Sequence, residues 1–377
     1  MRFIHTADWH LGRIFYEQYM TADQEYVLGQ FLELVDEWRP DAVIIAGDIY
    51  DRAIPPAEAV RLLDEVLGQL AARRVPVIAI SGNHDSTERI DFGSRLMRAG
   101  GVYMYGVARP DTAPVVLHDE AGAVYICPLA FADPMTVRIG FDAPEVCDYA
   151  TLLAEQVRRF TAQIPAGVRS VAVAHGFVAG GSESESERPL SVGGTSQVPW
   201  TTFAGFDYTA LGHLHRPQSV GAPTVRYSGS LLKYSFSEVA DEKGIECVTL
   251  AADGTVSRET VHLRPRYDMR IVEGTFTELM SDAVPASGDY LLVRLHQPQG
   301  VVDGIGRLRK KFPRVLGIEP LETAQLTTSP RPQDIRRADK TELFARFVED
   351  VGGAPMTEAE KAVMARIWQE VLTEDER

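Results

Sequence analysis

The stretch DAVIIAGDIYD, residues 41–51, has a continuous run of apolar residues after Asp41, and two more aspartates, Asp48 and Asp51, follow the run. An uninterrupted apolar run of this length predicts a strand that is buried on both faces. Gly47 ends the run, and Asp48 follows it directly. Ligands bind at the carboxyl ends of strands in open α/β sheets, so this stretch predicts both a buried sheet and a site at its edge.

Further apolar runs of the same kind lie on both sides, and they are RFIHT (2–6), VPVIAI (75–80), SVAVA (170–174) and DYTAL (207–211). Helical patterns separate the first three strands, from Met20 to Trp38 and from Pro56 to Arg73. Shorter strands continue to about Leu263. The alternation of strand and helix predicts a layered α/β fold whose sheets are covered by helices.

Composition indicates a globular protein with room for two domains, since the chain has 377 residues, of which 45% are apolar and 24% charged. No apolar run is long enough to span a bilayer, and MRFIHTADWH at the N-terminus lacks the features of a secretory signal. We therefore expect a cytoplasmic protein. The net charge of −15 argues against binding nucleic acid through the overall field, but it does not exclude a local basic surface.

Three cysteines, Cys127, Cys147 and Cys247, lie far apart and form no CxxC pair. This spacing favours reduced thiols over a disulfide framework or a zinc site, and we expect all three in the core. The segment SESESE (182–187) has no apolar residue, which predicts a mobile acidic loop.

The stretch LRPRYDMR (263–270) predicts a domain boundary, and polar, proline-bearing TTSPRPQDIRR (327–337) predicts a linker. Strand, helix and strand patterns follow the boundary, at DYLLVRL (289–295), VVDGIGRLRKKF (301–312) and RVLGIEPL (314–321). We expect a main domain over 1–265, a small α/β domain over 266–326, a linker over 327–340 and a helical tail over 341–377.

Two apolar stripes at helical spacing occur in the tail. The first comprises Leu343, Phe344, Phe347, Val348 and Val351. The second comprises Val363, Met364, Ile367, Trp368, Val371 and Leu372, and a capping box at Thr357 and Glu360 precedes it. These stripes either pack back on the body of the protein or bind a partner.

Polar side chains follow all five long apolar strands, and they are Asp8, His10, Asp48, Asp51, Asn83, His84, Asp85, His175, His213 and His215. Neighbouring strands lie about 4.8 Å apart, so these side chains can converge. Asp48 could instead cap a helix, and Asn83 could occupy a turn. Such explanations must hold separately at each strand, whereas one metal centre accounts for all of them.

The donor set contains carboxylates and imidazoles but no thiolate, which suits manganese, iron or zinc. His213 and His215 are two residues apart and so share one side of an extended chain. They can therefore reach adjacent positions in a binuclear centre.

The motifs D-x-H, G-D-x-x-D, G-N-H-D, a lone histidine and G-H-x-H occur in the order typical of calcineurin-like metallophosphoesterases, which the chain resembles. Longer segments are similar to the SbcD family, the nuclease subunits of bacterial SbcCD complexes. These segments are HTADWHLGR (5–13), AHGFVAGG (174–181), TALGHLHRPQ (209–218) and YSGSLLKYSFSE (227–238). Ala7 departs from the serine expected in relatives, but it is no ligand.

The resemblance implies a layered β-sandwich flanked by helices, a small α/β capping domain and a C-terminal helical tail. It also implies two manganese ions. Asp8, His10, Asp48 and His215 hold one ion, and Asp48, Asn83, His175 and His213 hold the other. His84 stands beside them as a proton donor, while Asp85 either orients His84 or caps a helix. Asp51 is expected to have a structural role, and His5 to be a packed or hydrogen-bonded strand residue.

The implied activity is two-metal hydrolysis of DNA, as a double-strand exonuclease and a hairpin or single-strand endonuclease. The family acts with SbcC, a coiled-coil ATPase, in DNA repair, recombination and replication near the nucleoid. The tail helices are expected to bind SbcC, and the nuclease domain is expected to form a homodimer. A basic run in the cap either is a solvated helix face or contacts DNA phosphates; it comprises Arg307, Arg309, Lys310, Lys311 and Arg314.

Three alternatives use the same motifs. The first is a binuclear phosphodiesterase for small or cyclic nucleotides, which has little need of a basic cap and a partner-binding tail. The second is a protein phosphatase, but relatives of that kind usually carry GNHE and DRG where this chain has GNHD and DRA. The third, a non-catalytic scaffold, is disfavoured because every expected ligand and His84 are present.

Overall fold

The computed structural model describes residues 1–188, 197–296, 303–321, 348 and 355–374. Its strands are β1 (Arg2–Thr6), β2 (Ile14–Phe15), β3 (Gln18–Tyr19), β4 (Ala42–Ala46), β5 (Val77–Ile80), β6 (Val102–Tyr105), β7 (Val115–Asp119), β8 (Gly122–Leu129), β9 (Arg169–His175), β10 (Phe177–Val178), β11 (Gln197–Val198), β12 (Tyr208–Gly212), β13 (Gln218–Ser219), β14 (Val225–Tyr227), β15 (Gly244–Leu250), β16 (Val256–His262), β17 (Met269–Gly274), β18 (Tyr290–Leu295) and β19 (Val315–Pro320). Its helices are α1 (Thr21–Trp38), α2 (Ala57–Ala72), α3 (Thr87–Asp91), α4 (Ser94–Met97), α5 (Pro134–Gly140), α6 (Tyr149–Thr161), α7 (Phe276–Met280), α8 (Gly304–Arg309) and α9 (Glu358–Glu374).

Two six-stranded sheets occupy the described part of the first compact unit, Met1–Met269. In the first sheet the order is β16-β15-β1-β4-β5-β6, and β1, β4, β5 and β6 run parallel. In the second the order is β13-β14-β12-β9-β8-β7, with β8, β9, β12 and β14 parallel. The predicted layered α/β fold is confirmed.

One apolar cluster joins the inner faces of the two sheets, with Phe3 and Ile44 from the first and Ile126 and Val173 from the second. A second cluster packs the other face of the β9 sheet against α6, where Leu152 and Phe160 are buried. Because apolar side chains cover both faces of the second sheet, β9 is buried along its whole length. Continuous apolar runs therefore predicted these strands correctly.

The second compact unit begins at Arg270 and contains a three-stranded sheet in the order β17-β18-β19. The sequence predicts a helix over 301–312, and α8 lies within the described part of that segment. Leu308 and Phe312 pack with Val293 from β18 and Val315 from β19 to form a separate apolar cluster. This small α/β arrangement agrees with the predicted strand, helix and strand.

The predicted capping box precedes α9: Glu360 accepts the backbone N–H of Thr357, and Thr357 Oγ1 accepts the backbone N–H of Glu360. On this helix Met364 is buried, whereas Val363 and Ile367 are half exposed. The first tail stripe lies outside the described residues except for Val348, and so does the predicted linker.

One prediction about the cysteines is wrong. Cys127 and Cys247 are buried, but Cys147 is exposed. It directly precedes Asp148, the N-cap of α6, where the chain enters the helix at the surface. Among the described residues, no helix is both long and apolar enough to cross a membrane.

Candidate metal centre

The candidate ligands lie just after, or at the very end of, β1, β4, β5, β9 and β12, and the turns that hold them are unusual. Asp8, His10, Asp48 and His213 all have positive φ angles, of 53°, 47°, 49° and 108°. Few non-glycine residues adopt such angles, and strain of this kind gathers at functional sites. The backbone is thus bent so that several buried polar side chains face a common point.

Glycines beside the ligands allow the strands to approach closely. A Cβ atom at Gly212 would lie 2.0 Å from the Ala46 carbonyl oxygen and 2.9 Å from His175 Nδ1. A Cβ atom at Gly82 would lie 2.2 Å from Asp48 Oδ1. Only residues without a side chain fit there, which explains why glycine precedes both His213 and Asn83.

One half of the site contains His10, His215 and Asp48. The Nε2 atoms of His10 and His215 lie 2.9 Å apart, and His10 Nε2 is 3.6 Å from Asp48 Oδ2. His175 and His213 face Asn83 in the other half. Asn83 Oδ1 lies 2.9 Å from His175 Nε2 and 3.1 Å from His213 Nδ1.

Asp48 lies between the two halves, because its Oδ2 is also 3.5 Å from His175 Nε2. Asp8 completes the cluster: Asp8, His10 and His215 offer donor atoms that lie within 4.8 Å of one another, as do Asp8, Asp48 and His175. The structure thus brings all seven predicted ligands into one largely buried cluster.

The cluster fits divalent cations. Ring nitrogens and carboxylate oxygens are packed against one another, although neutral imidazoles and carboxylates offer lone pairs that need a cation or a proton between them. Among the described residues, the buried Nδ1 of His10 has no hydrogen-bond partner. Imidazole, carboxylate and amide donors together suit manganese, iron or zinc.

Neighbouring groups orient two of the histidines. His175 Nδ1 lies 2.9 Å from the Ala46 carbonyl oxygen, which accepts its proton and leaves Nε2 facing the cluster. Asp8 accepts the backbone N–H of His213 at 2.9 Å, which fixes the strained turn after β12. The first contact leaves a ring nitrogen of His175 toward the centre, and the second holds the backbone that carries His213.

Burial and close charges determine the protonation of the cluster. Burial raises the pKa of Asp8 to about 7 and lowers that of His213 to about 3. For Asp48, burial opposes ionisation, but His175, His10 and His84 together outweigh it and hold the Asp48 pKa well below its usual range. Burial lowers the pKa of His175, but Asp48, Asp8 and the Ala46 carbonyl together outweigh it and raise the pKa to about 9. A bound cation would displace such protons.

His84 lies beside this cluster. Its Nδ1 donates to the Asp51 carbonyl oxygen at 2.8 Å, and its Nε2 lies 3.9 Å from Asp48 Oδ2. The Asp51 carboxylate accepts a hydrogen bond from Arg13 at 3.0 Å, as a structural role requires. His5 is buried and hydrogen-bonded to Tyr208, in agreement with its prediction.

The expectations for Asp85 need correction. Its carboxylate accepts backbone N–H groups of Ile49, Tyr50 and Gly82 at 3.1, 2.8 and 2.9 Å, so it holds the loops after β4 and β5 together. It does not orient His84, whose Nδ1 is already bound to Asp51. Nor does it cap α3, because Ser86 is the N-cap of that helix.

The SESESE segment is not a free acidic loop. Ser186 is buried, and its Oγ lies 2.5 Å from both His215 Nδ1 and Glu238 Oε1. Burial opposes ionisation of Glu238, but His215 and Lys243 hold its pKa below the usual range. These partners were missed because low complexity favours disorder. Glu238 lies in the segment 227–238 that carries the family resemblance, and this was the available signal.

The basic run of the second unit lies outside this cluster. Arg309 donates to the Val315 carbonyl oxygen, Lys311 to Leu279 and Ser281, and Arg314 to Gly288. Lys310 and Arg307 are exposed. The run is thus partly used to hold its own unit together, which a charge pattern alone does not reveal.

Known proteins are similar to this sequence over most of its length. Residues 1–217 match the family described as calcineurin-like phosphoesterase, and residues 265–351 match the Type 5 capsule protein repressor C-terminal domain. A relative from Staphylococcus epidermidis, the D subunit of the nuclease SbcCD, is 32% identical over 321 residues, which cover 84% of this chain and 85% of the relative. The chain belongs to the SbcD family of calcineurin-like phosphoesterases.

Membership of the SbcD family confirms the resemblance drawn from the motifs. The chain is a metal-dependent phosphodiester hydrolase, and its cluster of carboxylates and imidazoles is the candidate site for the divalent metal. A non-catalytic scaffold does not account for the cluster, because such a scaffold has no need to bury so many strained, ionisable side chains.

Proposed function

We propose that this chain is a manganese-dependent DNA nuclease that acts as a double-strand exonuclease and as a hairpin or single-strand endonuclease. The observation that carries the proposal is the convergence of seven candidate ligands at the strand ends of an SbcD-family fold. Its relative in Staphylococcus epidermidis is named a nuclease subunit, which supports DNA as the substrate.

The proposed ligand assignment follows the two halves of the cluster. Asp48 is shared, since its Oδ2 lies 3.6 Å from His10 Nε2 and 3.5 Å from His175 Nε2. One cation would be held by Asp8, His10, Asp48 and His215, and the other by Asp48, Asn83, His175 and His213. Manganese is the proposed ion because the family resemblance implies it, and oxygen and nitrogen donors without thiolate suit it as they suit iron or zinc.

Two divalent cations bound there would supply the positive charge that polarises a phosphate oxygen and stabilises the charge that develops during hydrolysis. His84 holds a proton for the departing sugar oxygen. Its Nδ1 is fixed by the Asp51 carbonyl, so Nε2 is the ring atom that faces the site. Protonation at Nε2 makes the ring a cation; burial lowers the pKa of His84 from its usual value, and Asp48 at 3.9 Å opposes that lowering. Asp85 keeps the loop of Asp48 against the loop of His84.

The proposed partner is an SbcC-type coiled-coil ATPase, with which the nuclease would act in DNA repair and recombination. The relative is named as a subunit of SbcCD, and α9 leaves the apolar side chains of Val363 and Ile367 half exposed. We also propose a homodimer through the nuclease domain, which Phe92 and Leu96 support, since they are 84% and 83% exposed. The proposed domain limits are those expected from the sequence, with the cap over 266–326.

Within the cap, the exposed Arg307 and Lys310 are the proposed contacts with DNA phosphates. Arg309, Lys311 and Arg314 keep their charges while they donate to backbone carbonyls, so they add to the local positive field. Binding through such side chains is independent of base sequence and weakens as salt increases.

Cleavage by the purified chain tests the proposal. Linear duplex DNA, hairpin DNA and bis-p-nitrophenyl phosphate would be incubated with and without Mn²⁺, before and after SbcC is added. We expect manganese-dependent cleavage of both DNA substrates and an increase with SbcC. Hydrolysis of the small phosphodiester without cleavage of either DNA would contradict the proposal and favour a small-nucleotide phosphodiesterase.

A further inference from the structure

Ser186, the fifth residue of the SESESE segment, contacts a candidate metal ligand from the side that faces away from the cluster. Its Oγ lies 2.5 Å from His215 Nδ1, while His215 Nε2 lies 2.9 Å from His10 Nε2. Ser186 and His215 are both buried, so water does not compete for these contacts. Ser186 therefore contacts Nδ1 of His215, while Nε2, on the opposite side of the ring, is the proposed ligating atom.

Glu238 determines the direction of this hydrogen bond. Ser186 Oγ lies 2.5 Å from Glu238 Oε1, and Lys243 Nζ lies 2.6 Å from Glu238 Oε2. A carboxylate paired with an ammonium group accepts hydrogen bonds and does not donate them. Ser184 Oγ lies 2.8 Å from Ser186 Oγ and is another possible acceptor, but Glu238 is nearer and charged, so the single proton of the Ser186 hydroxyl is directed to Glu238.

The direction of the hydrogen bond between Ser186 Oγ and His215 Nδ1 follows, because the hydroxyl group has only one proton to donate. Because the hydroxyl proton points to Glu238, the Ser186 oxygen can only accept from His215, which requires a proton on Nδ1. In the neutral ring Nε2 then carries the lone pair, and Nε2 is the atom that faces the cluster. The chain Lys243, Glu238, Ser186 and His215 selects the tautomer in which the histidine can bind a cation.

Backbone contacts hold the same loop in place. Glu187 accepts the backbone N–H of His215 at 2.8 Å, and Lys243 donates to the His215 carbonyl oxygen at 2.6 Å. Ser184 donates to Glu187 at 2.7 Å. The loop is thus fastened to the His215 segment at several points, which fixes the position of the Ser186 hydroxyl.

We propose that Ser186 is a positioning residue of the metal centre, which, with Glu238 and Lys243, fixes the tautomer of His215. The inference deepens the proposed function, on which it rests for the role of His215 as a ligand. It assigns a role in cation binding to a segment whose composition predicts a mobile loop.

The test measures Mn²⁺ binding to the full chain by isothermal titration calorimetry, without substrate. We expect Ser186→Ala to weaken binding about 10–100-fold, as removal of a group behind a metal-bound histidine commonly does. Ser186→Thr keeps a hydroxyl and should restore affinity to within about threefold of wild type, within the same scale of effects. Ser182→Ala is the matched control, because Ser182 lies in the same loop but is exposed, and its backbone is hydrogen-bonded to Gln218.

A second measurement reads the tautomer without metal. The ¹⁵N chemical shifts of the His215 ring, assigned by comparison with His215→Gln, should show a proton on Nδ1 in the wild type and a mixture of tautomers in Ser186→Ala. Unchanged shifts, or unchanged Mn²⁺ affinity in Ser186→Ala, would overturn the inference. A wild-type protein that binds no Mn²⁺ but keeps the Nδ1 proton would instead contradict the proposed function alone.

Discussion

The two nitrogens of the His84 ring have different environments. The proposed role of His84 as a proton donor can therefore be tested separately from cation binding. Nδ1 is held by the Asp51 carbonyl and Nε2 faces Asp48 from 3.9 Å, but the ring is not among the proposed ligands. We expect His84→Ala to reduce the rate of DNA cleavage by about 10²–10⁴, the usual contribution of a general acid. Calorimetry should find Mn²⁺ binding intact.

Asp48→Ala provides the contrast. It removes the carboxylate that lies between both halves of the cluster, so Mn²⁺ binding and cleavage should both be lost. Wild-type cleavage rates in His84→Ala would contradict the proton-donor role, whatever the result for Asp48.

Gly212 is a residue whose missing side chain determines the geometry of the site. A Cβ atom there would lie 2.0 Å from the backbone oxygen of Ala46, which cannot move aside without shifting β4. We expect Gly212→Ala to lower the free energy of unfolding by about 1–3 kcal/mol, as overpacking in a core does. It should also weaken Mn²⁺ binding. Urea denaturation and calorimetry measure the two effects.

Gly68→Ala serves as the control for this substitution. Gly68 lies in α2, and a Cβ atom added there would have no neighbouring atom within 4 Å, so alanine should raise stability by about 0.5–1 kcal/mol. Equal effects of the two substitutions would show that the contact at Gly212 is unimportant.

His5 gives stability a pH dependence with a definite sign. Burial lowers its pKa to about 4, whereas the unfolded chain has a value near 6.5. The folded protein therefore binds fewer protons between these values, and its free energy of unfolding decreases as the pH falls from 6.5 to 4. This one residue should account for about 2 kcal/mol between pH 7 and pH 5.

His5→Gln removes the titrating ring while it keeps groups that can hydrogen-bond to Tyr208 and Leu211. Urea denaturation at several pH values should find that the stability of the variant changes less with pH than that of the wild type. Parallel curves for the two proteins would contradict the prediction.

At the scale of elements, the strands and their polar ends could be predicted because both signals are local. Apolar runs such as AVIIA mark a buried strand, and Asp48 or His175 follows at its end. The pairing of strands could not be predicted in this way. β1 pairs with β15, which is more than 200 residues away, and the facing of two sheets depends on such non-local contacts.

Two errors show where local signals fail. The carboxylate of Asp85 accepts hydrogen bonds from three backbone N–H groups, and two of these belong to a loop that lies far away in the sequence. Ser186 is buried because Glu238 and His215, which belong to other segments of the chain, pack against it. In both cases a polar residue has a partner that its own neighbourhood does not indicate.

Strands β14, β15 and β16 are joined by a buried charge. Glu246 on β15 accepts from Arg226 at 2.7 Å and from Arg258 at 3.2 Å, and Glu246 is fully buried. Glu246→Ala would leave the buried guanidinium of Arg226 without its carboxylate, so we expect a loss of about 3–5 kcal/mol in the free energy of unfolding. Urea denaturation measures the loss.

An exposed ion pair supplies the comparison. Arg73 donates to Asp36 at 2.8 Å on the surface, where water screens the charges, so Asp36→Ala should lower the free energy of unfolding far less than Glu246→Ala does. If both substitutions cost the same, burial of Glu246 would not be the reason for its effect.

At the scale of the molecule, the two compact units have separate apolar clusters. Among the described residues, the clusters of Met1–Met269 contain no residue of the second unit, and the cluster around Leu308 and Val315 contains none of the first. All seven candidate ligands belong to the first unit. Cation binding and the capture of long DNA are therefore expected to depend on different parts of the chain.

A chain that ends at Met269 tests this division. Its core is large enough to fold alone, so we expect cooperative thermal unfolding and Mn²⁺ affinity within about threefold of the full chain, well below the roughly 10–100-fold losses seen when a metal site is disturbed. DNA binding at low salt should weaken, because the basic run of residues 306–314 is absent. Loss of cooperative unfolding would mean that the first unit needs the second to fold. Unchanged DNA binding would remove the proposed role of the cap, while the metal centre would stand unaffected.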